Sequence, residues 1–301
     1  MALSRTGQPS AIQEAKMEQV LNAYKYGALK HQLYLHNYAR HFRSISHKHI
    51  KLLELGVYNG GSLLLWRDFF PNAKIVGLDL NRVDIDDPTG RISFYQGDQC
   101  DLKLLDRIAI ECASDGFDVI IDDASHIAEL TKISFWHLFD NYLRRGGIYV
   151  IEDWRVGYSE LSPDGAKYKW PKPTRAGPSG SQTSEHKPQF PRHNNYKVAG
   201  LVKKLLVALR MNTFANRARR LYLKFKYQSH FPSHDYGMVG LVKQLMDELG
   251  IDQITNPARG GPPPQRFPKF QRMEVCPGQV FIVKATEQDH QLVAEQLRSG
   301  I

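Results

Sequence analysis

The sequence predicts an α/β fold built on a doubly wound, mostly parallel sheet of seven strands. Between residues 51 and 153, short β-rich segments alternate with longer segments of helical periodicity, which is the order of a parallel sheet made of βαβ units. Apolar residues run nearly unbroken within the β-rich segments, as strands covered on both faces require. Near the end of the chain, two more β-rich segments flank the turn pair Pro277-Gly278, so we expect an antiparallel hairpin at one sheet edge.

Each predicted strand can be assigned to a short stretch of sequence. The parallel strands are KLLEL (51–55), KIVGLD (74–79), ISFYQ (92–96), DVIID (118–122) and IYVIED (148–153), and the hairpin is RMEVC with QVFIVKA. Helical segments such as SLLLWRDFF and DLKLLDRIAIEC lie between them, and GMVGLVKQLMDELG predicts a helix that ends at Gly250. The arrangement is Rossmann-like, and ligands of such sheets bind outside the carboxyl ends of the strands.

Three regions are predicted along the chain. Residues 1–48 form an N-terminal helical cover, because AIQEAKMEQVLNAYKYG and LYLHNYARHFRSI have the pattern of amphipathic helices. Residues 49–158 together with 268–286 form the core. Residues 159–267 are a mobile loop dense in Pro, Gly, Ser and Lys, followed by a basic helical insertion.

The composition is that of a globular chain, because 301 residues with 42% hydrophobic content can bury a sizeable core. The start has no apolar run of signal-peptide length, and no segment approaches the roughly 20 uncharged apolar residues of a membrane span. We therefore expect a cytoplasmic protein. Cys100, Cys112 and Cys276 lack CxxC spacing and predict neither a disulfide framework nor a zinc site.

The formal net charge of +9 is concentrated in one segment. From Lys187 to His234 there is no Asp or Glu, while eleven Lys and Arg residues occur there, so the rest of the chain is slightly acidic. Residues 197–226 combine helically spaced leucines with basic residues, a pattern typical either of peripheral contact with the inner membrane surface or of a solvated helix face. Nucleic acid is a weaker interpretation, because no RNA-binding module is recognisable.

A glycine-rich loop follows the first predicted strand. LLELGVYNGGSLLLW places Gly56 and Gly60 before a helix, where backbone can approach a ligand closely and helix N–H groups can face it. Tyr58 stands where a dinucleotide-binding loop carries the glycine that admits a pyrophosphate, so a nucleoside without a pyrophosphate fits better. Asp79 is placed to accept hydrogen bonds from ribose hydroxyls, and Asp98 to meet an adenine amino group. The alternative interpretation is that the glycines only form a tight turn and that Asp79 is a solvated strand end.

Acidic residues cluster after the fourth and fifth predicted strands. Asp122, Asp123 and His126 follow the fourth strand, whereas Glu152 and Asp153 follow the fifth. Carboxylates this close repel one another unless they are protonated or neutralised, so the sequence predicts raised pKa values or a cation. Oxygen ligands select a hard ion, Mg²⁺ before Ca²⁺ or Mn²⁺, and leave His126 free as a general base. The alternative is a structural histidine beside solvated strand ends.

Four motifs together resemble a known family. LLELGVYNGGSLLLWRDFFPNAKIVGLDL, GDQCD, VIIDDASH and RRGGIYVIEDW are similar to the class I S-adenosylmethionine-dependent methyltransferases, specifically to the metal-dependent sugar O-methyltransferases typified by the macrocin and mycinamicin enzymes. The similarity covers residues 20–158 and the terminal hairpin. The glycine loop is generic to the superfamily, whereas DDASH and ED are specific to the metal-dependent family.

The resemblance implies a role for each matching position. It implies that Asp123, Glu152 and Asp153 bind Mg²⁺ or another hard divalent cation, and that His126 is the catalytic base. The positions implied for S-adenosylmethionine are Glu54, Gly56, Tyr58, Asn59, Gly60, Ser62, Asp79, Asp98, Gln99 and Asp122. Trp154 and Tyr158 are expected near the acceptor, although WRVGYSEL departs from the Thr-Ser-Tyr-Trp run with which the family continues after ED.

The activity implied is methyl transfer to a hydroxyl of a sugar or of a glycosylated natural product, including a lipid-linked glycoside. Related enzymes also imply a homo-oligomer. Two other interpretations stay open at this point. One is a catechol-type O-methyltransferase for small molecules, and the other is an RNA-modifying methyltransferase that uses the basic segment.

Overall fold

A single seven-stranded sheet organises the computed structural model, which describes residues 23–168, 234–262 and 264–299. The strands are β1 (Lys51–Leu55), β2 (Lys74–Asp79), β3 (Ile92–Gln96), β4 (Phe117–Asp122), β5 (Leu143–Glu152), β6 (Phe270–Cys276) and β7 (Gln279–Lys284). Their order in the sheet is β3-β2-β1-β4-β5-β7-β6. Strands β1 to β5 run parallel, and β7 pairs antiparallel with both β5 and β6. The predicted fold class is confirmed.

The strand order reverses at β1, and this reversal positions the site. Leu55, the last residue of β1, pairs with Leu78 of β2 on one side and with Asp122 of β4 on the other. Connections that leave β1 in opposite directions open a crevice at the carboxyl ends of the parallel strands. The glycine loop after β1 and the acids after β4 and β5 all lie at this edge.

Helices cover both faces of the sheet. Those of eight residues or more in the described ranges are α1 (Gln32–Phe42), α2 (Gly61–Phe69), α3 (Leu102–Cys112), α4 (Ala128–Asn141), α5 (Gly237–Leu249) and α6 (Glu287–Ser299). Tyr38 of α1 and Trp66 of α2 are buried in one apolar cluster, whereas Ile108 of α3, Phe135 of α4 and Leu241 of α5 are buried in the other. The helical spacing of their apolar residues explains why each of these helices buries one side.

Strand β5 differs from its prediction. It begins at Leu143 rather than at residue 148, because Leu143 pairs with Phe117 of β4 and the RRGG stretch that follows belongs to the strand. The pairing of β4 with β5 shifts register between Phe117 and Val119, and Gly146 has a φ of +75°, a conformation that glycine adopts without strain. Helix α5 is confirmed, and Gly250 caps it as expected. Helix α6 was not predicted.

Several predictions fall on residues that the structure does not describe. The predicted mobile loop from residue 169 onward and the basic segment 197–226 lie outside the described residues, as does most of AIQEAKMEQVLNAYKYG. The described part of the N-terminal cover is helical, with a short helix Ala23–Tyr26 before α1. The three-region division stays a prediction. Within the described ranges, no helix has the length and apolar character needed to span a membrane.

Candidate cofactor and metal site

A cavity of about 640 Å³ opens at the carboxyl ends of the parallel strands. Its size lies in the range of small-molecule sites, roughly 300–1,000 Å³. The residues predicted for the cofactor that line it are Gly56, Tyr58, Asn59, Ser62, Asp79, Asp98 and Gln99. The predicted base His126 and two predicted metal ligands, Asp123 and Asp153, line the same cavity. The residues predicted for the cofactor and those predicted for the metal and the base therefore line one cavity.

Gly56 allows the loop after β1 to lie against the end of β4. Its φ is +81°, and a Cβ atom at this position would lie 2.2 Å from the carbonyl oxygen of Asp123. Any side chain would therefore push the glycine loop away from the acidic residues. Tyr58 also has a positive φ, +52°, which is rare for a bulky residue and common where function requires a strained backbone.

The Asp79 carboxylate organises the glycine loop. Its Oδ2 accepts hydrogen bonds from the backbone N–H groups of Val57 and Tyr58, at 2.9 and 3.0 Å. Its Oδ1 accepts one from the N–H of Asn81, at 2.9 Å. A carboxylate offers about four lone-pair sites, so Asp79 retains the capacity to accept hydrogen bonds from a ligand hydroxyl.

Gln99 and Asp122 belong to one buried hydrogen-bond network. Gln99 accepts a hydrogen bond from the Ser125 N–H at 3.0 Å, and it donates one to Ser134 at 3.2 Å. Ser134 and Tyr149 both donate to Asp122 Oδ2, at 2.9 and 3.1 Å. Burial raises the pKa of Asp122 to about 6. Asp122 is not among the residues that line the cavity, and it is linked to the cavity wall through Ser134 and Gln99.

Two other predicted cofactor residues also lie behind the wall of the cavity. Glu54 is fully buried and accepts a hydrogen bond from the Ser62 hydroxyl at 2.6 Å, so it orients a residue that does line the cavity. Burial raises the pKa of Glu54 above its ordinary value. Gly60 is the N-cap residue of helix α2 and has a φ of +81°, and a Cβ there would lie 2.9 Å from the side chain of Ile85.

Asp123, His126 and Asp153 form a group that could hold a metal ion. One ligand atom from each lies within 4.8 Å of the others. His126 Nε2 lies 3.7 Å from Asp123 Oδ1 and 3.7 Å from Asp153 Oδ2. His126 and Asp153 have φ values of +53° and +54°, so strained backbone turns both side chains toward the group. Two carboxylates beside an open cavity fit a hard divalent cation.

Lys30 is a site residue that sequence reasoning missed. Its side chain is 2% exposed, and its ammonium lies 3.0 Å from Glu54 Oε1, 2.7 Å from Asp123 Oδ2 and 2.8 Å from Glu152 Oε1. Burial lowers the pKa of Lys30, but the three carboxylates outweigh burial and hold it well above its ordinary value. Glu152 is itself buried, and burial raises its pKa to about 8. The role of Glu152 as a metal ligand stays a prediction.

Two tyrosines of helix α1 also reach the acids at the end of β5. The Tyr34 hydroxyl donates a hydrogen bond to Asp153 Oδ1, and the Tyr38 hydroxyl donates one to Glu152 Oε1. Burial and the neighbouring acids raise the pKa of both tyrosines, so both stay protonated donors. The two tyrosines are four residues apart and therefore lie on one helix face. This spacing is the sequence pattern from which their shared contact with the acids could have been inferred.

The predicted acceptor residues lie after β5 and outside the lining of the cavity. Trp154 donates a hydrogen bond from Nε1 to the Cys276 carbonyl oxygen at 2.9 Å, which joins it to the turn between β6 and β7. The Tyr158 ring packs edge-on against Tyr168 and His234, with centroids 5.3 and 5.0 Å away. Their contact with an acceptor stays a prediction.

Sequence comparison relates the chain to known enzymes over part of its length. No protein-family model matches it. Mycinamicin VI 2''-O-methyltransferase of Micromonospora griseorubida is 42% identical over 130 residues, which are 40% of this chain and 31% of that protein. Demethylmacrocin O-methyltransferase of Streptomyces fradiae is 38% identical over 129 residues, 40% of this chain and 32% of that protein. The chain thus spans about a third of the length of these curated relatives.

Structure comparison extends over more of the chain. The MycE methyltransferase from the mycinamycin biosynthetic pathway, in complex with Mg and SAH, matches with a TM-score of 0.56 at 26% identity, covering 89% of this chain and 54% of that chain. MycE in complex with Mg, SAH and mycinamycin VI matches with a TM-score of 0.54 at 25% identity, covering 89% of this chain and 54% of that chain. These matches confirm the predicted fold, and the curated relatives confirm the predicted resemblance.

Proposed function

We propose that the chain, which has the fold and the motifs of the S-adenosylmethionine-dependent sugar O-methyltransferases, transfers a methyl group to a hydroxyl of a sugar or glycosylated natural product with the aid of Mg²⁺. The observation that carries this proposal is the position of His126. Its Nε2 lies 3.7 Å from carboxylates of both Asp123 and Asp153, and all three residues line the cavity that Asp79 and Asp98 also line. The residues proposed for the base, the cation and the nucleoside therefore line one cavity.

The cofactor is bound by residues of the glycine loop and of the ends of β2 and β3. Asp79 accepts hydrogen bonds from the ribose hydroxyls, and Asp98 accepts one from the adenine amino group. Gly56 lets the glycine loop lie against the end of β4, since a side chain there would contact the Asp123 backbone. S-adenosylmethionine supplies an already activated methyl group when bound, so binding and orientation account for much of the catalysis.

Asp123 and Asp153, with Glu152 as the third ligand that the resemblance implies, are the residues that would hold Mg²⁺. This ion prefers oxygen ligands and completes its coordination with water or substrate oxygen. A bound ion acts as a Lewis acid that lowers the pKa of a hydroxyl in contact with it. His126 accepts the hydroxyl proton at Nε2.

The acceptor is a small-molecule glycoside in this proposal. The support is the similarity to curated sugar O-methyltransferases and to MycE, whose structure in complex with mycinamycin VI shares the fold. A lipid-linked glycoside is the variant favoured by the basic segment 197–226, which would lie on an anionic membrane surface. Assembly as a homo-oligomer is part of the same proposal.

Calorimetric titration tests the cofactor assignment. Purified chain is titrated with S-adenosylhomocysteine in the presence and absence of Mg²⁺, with NAD as the control ligand. We expect binding of S-adenosylhomocysteine and none of NAD, because Tyr58 occupies the position that a pyrophosphate would need. Preference for NAD, or no binding of the adenosyl ligand, would remove the basis of the proposal.

An acceptor panel tests the substrate class. Methyl transfer is measured with glycosylated macrolides, lipid-linked glycosides, catechols and structured RNA as acceptors, each with Mg²⁺ and with excess chelator. We expect glycosides to be methylated and the chelator to stop the reaction. Faster methylation of catechols or of RNA would replace the sugar acceptor with that class while leaving the cofactor assignment intact.

A further inference from the structure

The turn that carries His126 is held by hydrogen bonds on both sides. Before His126, the Ser125 N–H donates to the Gln99 side chain at 3.0 Å. After it, the Ala128 N–H donates to Asp164 Oδ2 at 2.8 Å. His126 has a φ of +53°, and a backbone in this region persists only where its surroundings fix it. The two hydrogen bonds therefore fix the backbone from which the imidazole extends.

Asp164 supplies a cap that the local sequence of helix α4 does not provide. The N-cap residue of α4 is Ile127, whose side chain makes no capping hydrogen bond. The first N–H groups of a helix have no partner within the helix, and the helix dipole favours a carboxylate beside them. Asp164 lies in a short 3₁₀ helix, Pro163–Gly165, and is 36 positions from Ala128 in the sequence. A segment that follows β5 therefore holds the start of α4.

Helix α5 packs against Asp164 from the other side. Gly237, the first residue of α5, has a φ of +58°. A Cβ atom on Gly237 would lie 2.7 Å from Asp164 Cβ and 2.9 Å from its carboxyl carbon, so only glycine allows this approach. Packing this close leaves the Asp164 carboxylate little room to move away from the Ala128 N–H.

We propose that Asp164 is a positioning residue for the base of the reaction. By holding the start of α4, it keeps His126 Nε2 in the cavity beside Asp123 and Asp153. This inference rests on the proposed function, in which His126 is the base. Asp164 is not among the residues that line the cavity, so it acts through His126 rather than by contact with the cofactor. Its loss should lower kcat without weakening cofactor binding.

The kinetics of Asp164→Ala test this separation. Methyl transfer is measured with S-adenosylmethionine and the best glycoside of the acceptor panel. We expect kcat to fall by about 10- to 100-fold, because a displacement of about 1 Å at a reacting group has an effect of this size. The dissociation constant of S-adenosylhomocysteine should stay unchanged. Asp164→Asn keeps a side-chain oxygen that can accept the Ala128 N–H, so it should restore most of kcat.

Asp289→Ala is the matched control. Asp289 Oδ2 accepts a hydrogen bond from the Thr286 N–H at 2.7 Å, at the start of helix α6 and outside the cavity. Both substitutions remove a carboxylate from the start of a helix, so similar losses of stability are expected. Only Asp164→Ala should lower kcat. An equal fall of kcat in the two variants would overturn the proposal, because it would leave Asp164 a purely structural role.

A second variant keeps the test valid if Asp164→Ala does not fold. Gly237→Ala leaves Asp164 in the chain and displaces it, since the added Cβ would overlap its side chain. Gly260→Ala is the control, because it strains a φ of +79° with no atom within 4 Å of the added Cβ. We expect kcat to fall in Gly237→Ala and to stay unchanged in Gly260→Ala. An unchanged kcat in both variants would contradict the proposal.

NMR of the chain with ¹³C-labelled histidine separates failure of this proposal from failure of the proposed function. The ring signal of His126 is identified as the one that is lost in His126→Ala. We expect this signal to shift in Asp164→Ala and to stay in place in Asp289→Ala, and an unchanged signal in Asp164→Ala would overturn the proposal. If the unchanged chain methylates no acceptor, the proposed function is wrong, and the ring signal still decides whether Asp164 positions His126.

Discussion

The Tyr34 hydroxyl donates a hydrogen bond to Asp153, which connects helix α1 to the acid that follows strand β5. Asp153 Oδ1 is the acceptor, so Oδ2 is the oxygen that lies 3.7 Å from His126. A tyrosine that precedes the first strand in the sequence thus sets the orientation of a carboxylate at the metal group. This relationship makes the N-terminal helix part of the site rather than a passive cover.

Tyr34→Phe should weaken divalent metal binding by about 10-fold, because loss of a group that orients a ligand typically costs 10- to 100-fold in affinity. Asp153 would then be free to rotate away from His126. Titration with Mn²⁺ measures the change. Tyr142→Phe is a matched control, since it also removes a tyrosine hydrogen bond to an aspartate, Asp106, outside the site. Equal effects of the two variants would contradict a specific role for Tyr34.

Gly278→Ala should weaken metal binding through Tyr34. Gly278 has a φ of +92°, and a Cβ atom there would lie 1.9 Å from the Tyr34 hydroxyl oxygen. Gly260→Ala is the control, because Gly260 has a φ of +79° with no atom within 4 Å of the added Cβ. Both variants should lose about 1 kcal/mol of unfolding free energy from backbone strain. Only Gly278→Ala should change the Mn²⁺ dissociation constant. An unchanged constant would show that displacement of Tyr34 does not affect metal binding.

Asp79→Ala should weaken S-adenosylhomocysteine binding by about 10- to 100-fold, because it removes both an acceptor for ribose hydroxyls and the partner of two loop N–H groups. Calorimetry measures the dissociation constant. Asp84→Ala is the control, since Asp84 lies in the loop that follows β2 with a side chain that is 88% exposed. Unchanged affinity in Asp79→Ala would mean that the ligand does not contact the end of β2.

His126→Ala should lower kcat for the best acceptor of the panel by about 100- to 10,000-fold, the usual range for loss of a general base. The Mn²⁺ dissociation constant should change only a few-fold, because the carboxylates remain. His137→Ala is the control, since His137 also pairs with a carboxylate, that of Asp106, at 2.7 Å outside the site. If metal affinity and kcat fell together, His126 would be a ligand rather than the base.

Asp87 should make stability depend on pH in the acid range. Burial raises its pKa, but hydrogen bonds from Thr89, Ile92 and Arg67 outweigh burial and hold the pKa well below its ordinary value of 3.8. A carboxyl whose pKa is lower in the folded state stabilises the fold above its unfolded pKa and loses that contribution as pH falls. Asp87→Asn should therefore be less stable than the unchanged chain at pH 7.

Urea unfolding at pH 7 and at pH 3 measures this effect. We expect Asp87→Asn to cost about 2 kcal/mol at pH 7, because several hydrogen bonds to a charged acceptor are weakened. The difference should shrink at pH 3. There Asp87 of the unfolded chain takes up a proton while the folded chain keeps it ionised, so the unfolded state of the unchanged chain is stabilised. A difference that is the same at both pH values would contradict the assignment of a lowered pKa to Asp87.

Much of the fold could be predicted from contiguous stretches of sequence. Strands β1 to β4 lie within a residue of the predicted segments. Three of them, β1, β2 and β4, are largely buried apolar runs, the pattern that parallel strands covered on both faces require, whereas the edge strand β3 is only partly buried. Strand β5 was predicted too short, because only the pairing of Leu143 with Phe117 of β4, across a register shift, adds residues 143–147 to the strand.

By itself, the sequence determined the sheet and the acids at its carboxyl edge, because each strand and its terminal residue are adjacent in the chain. Only the tertiary structure decided which groups those acids contact. Lys30 and Glu152 are 122 positions apart, and Tyr34 and Asp153 are 119 apart. Their contacts depend on how α1 packs against the end of the sheet. No local pattern encodes that placement, because it results from burial of apolar surface summed over many residues.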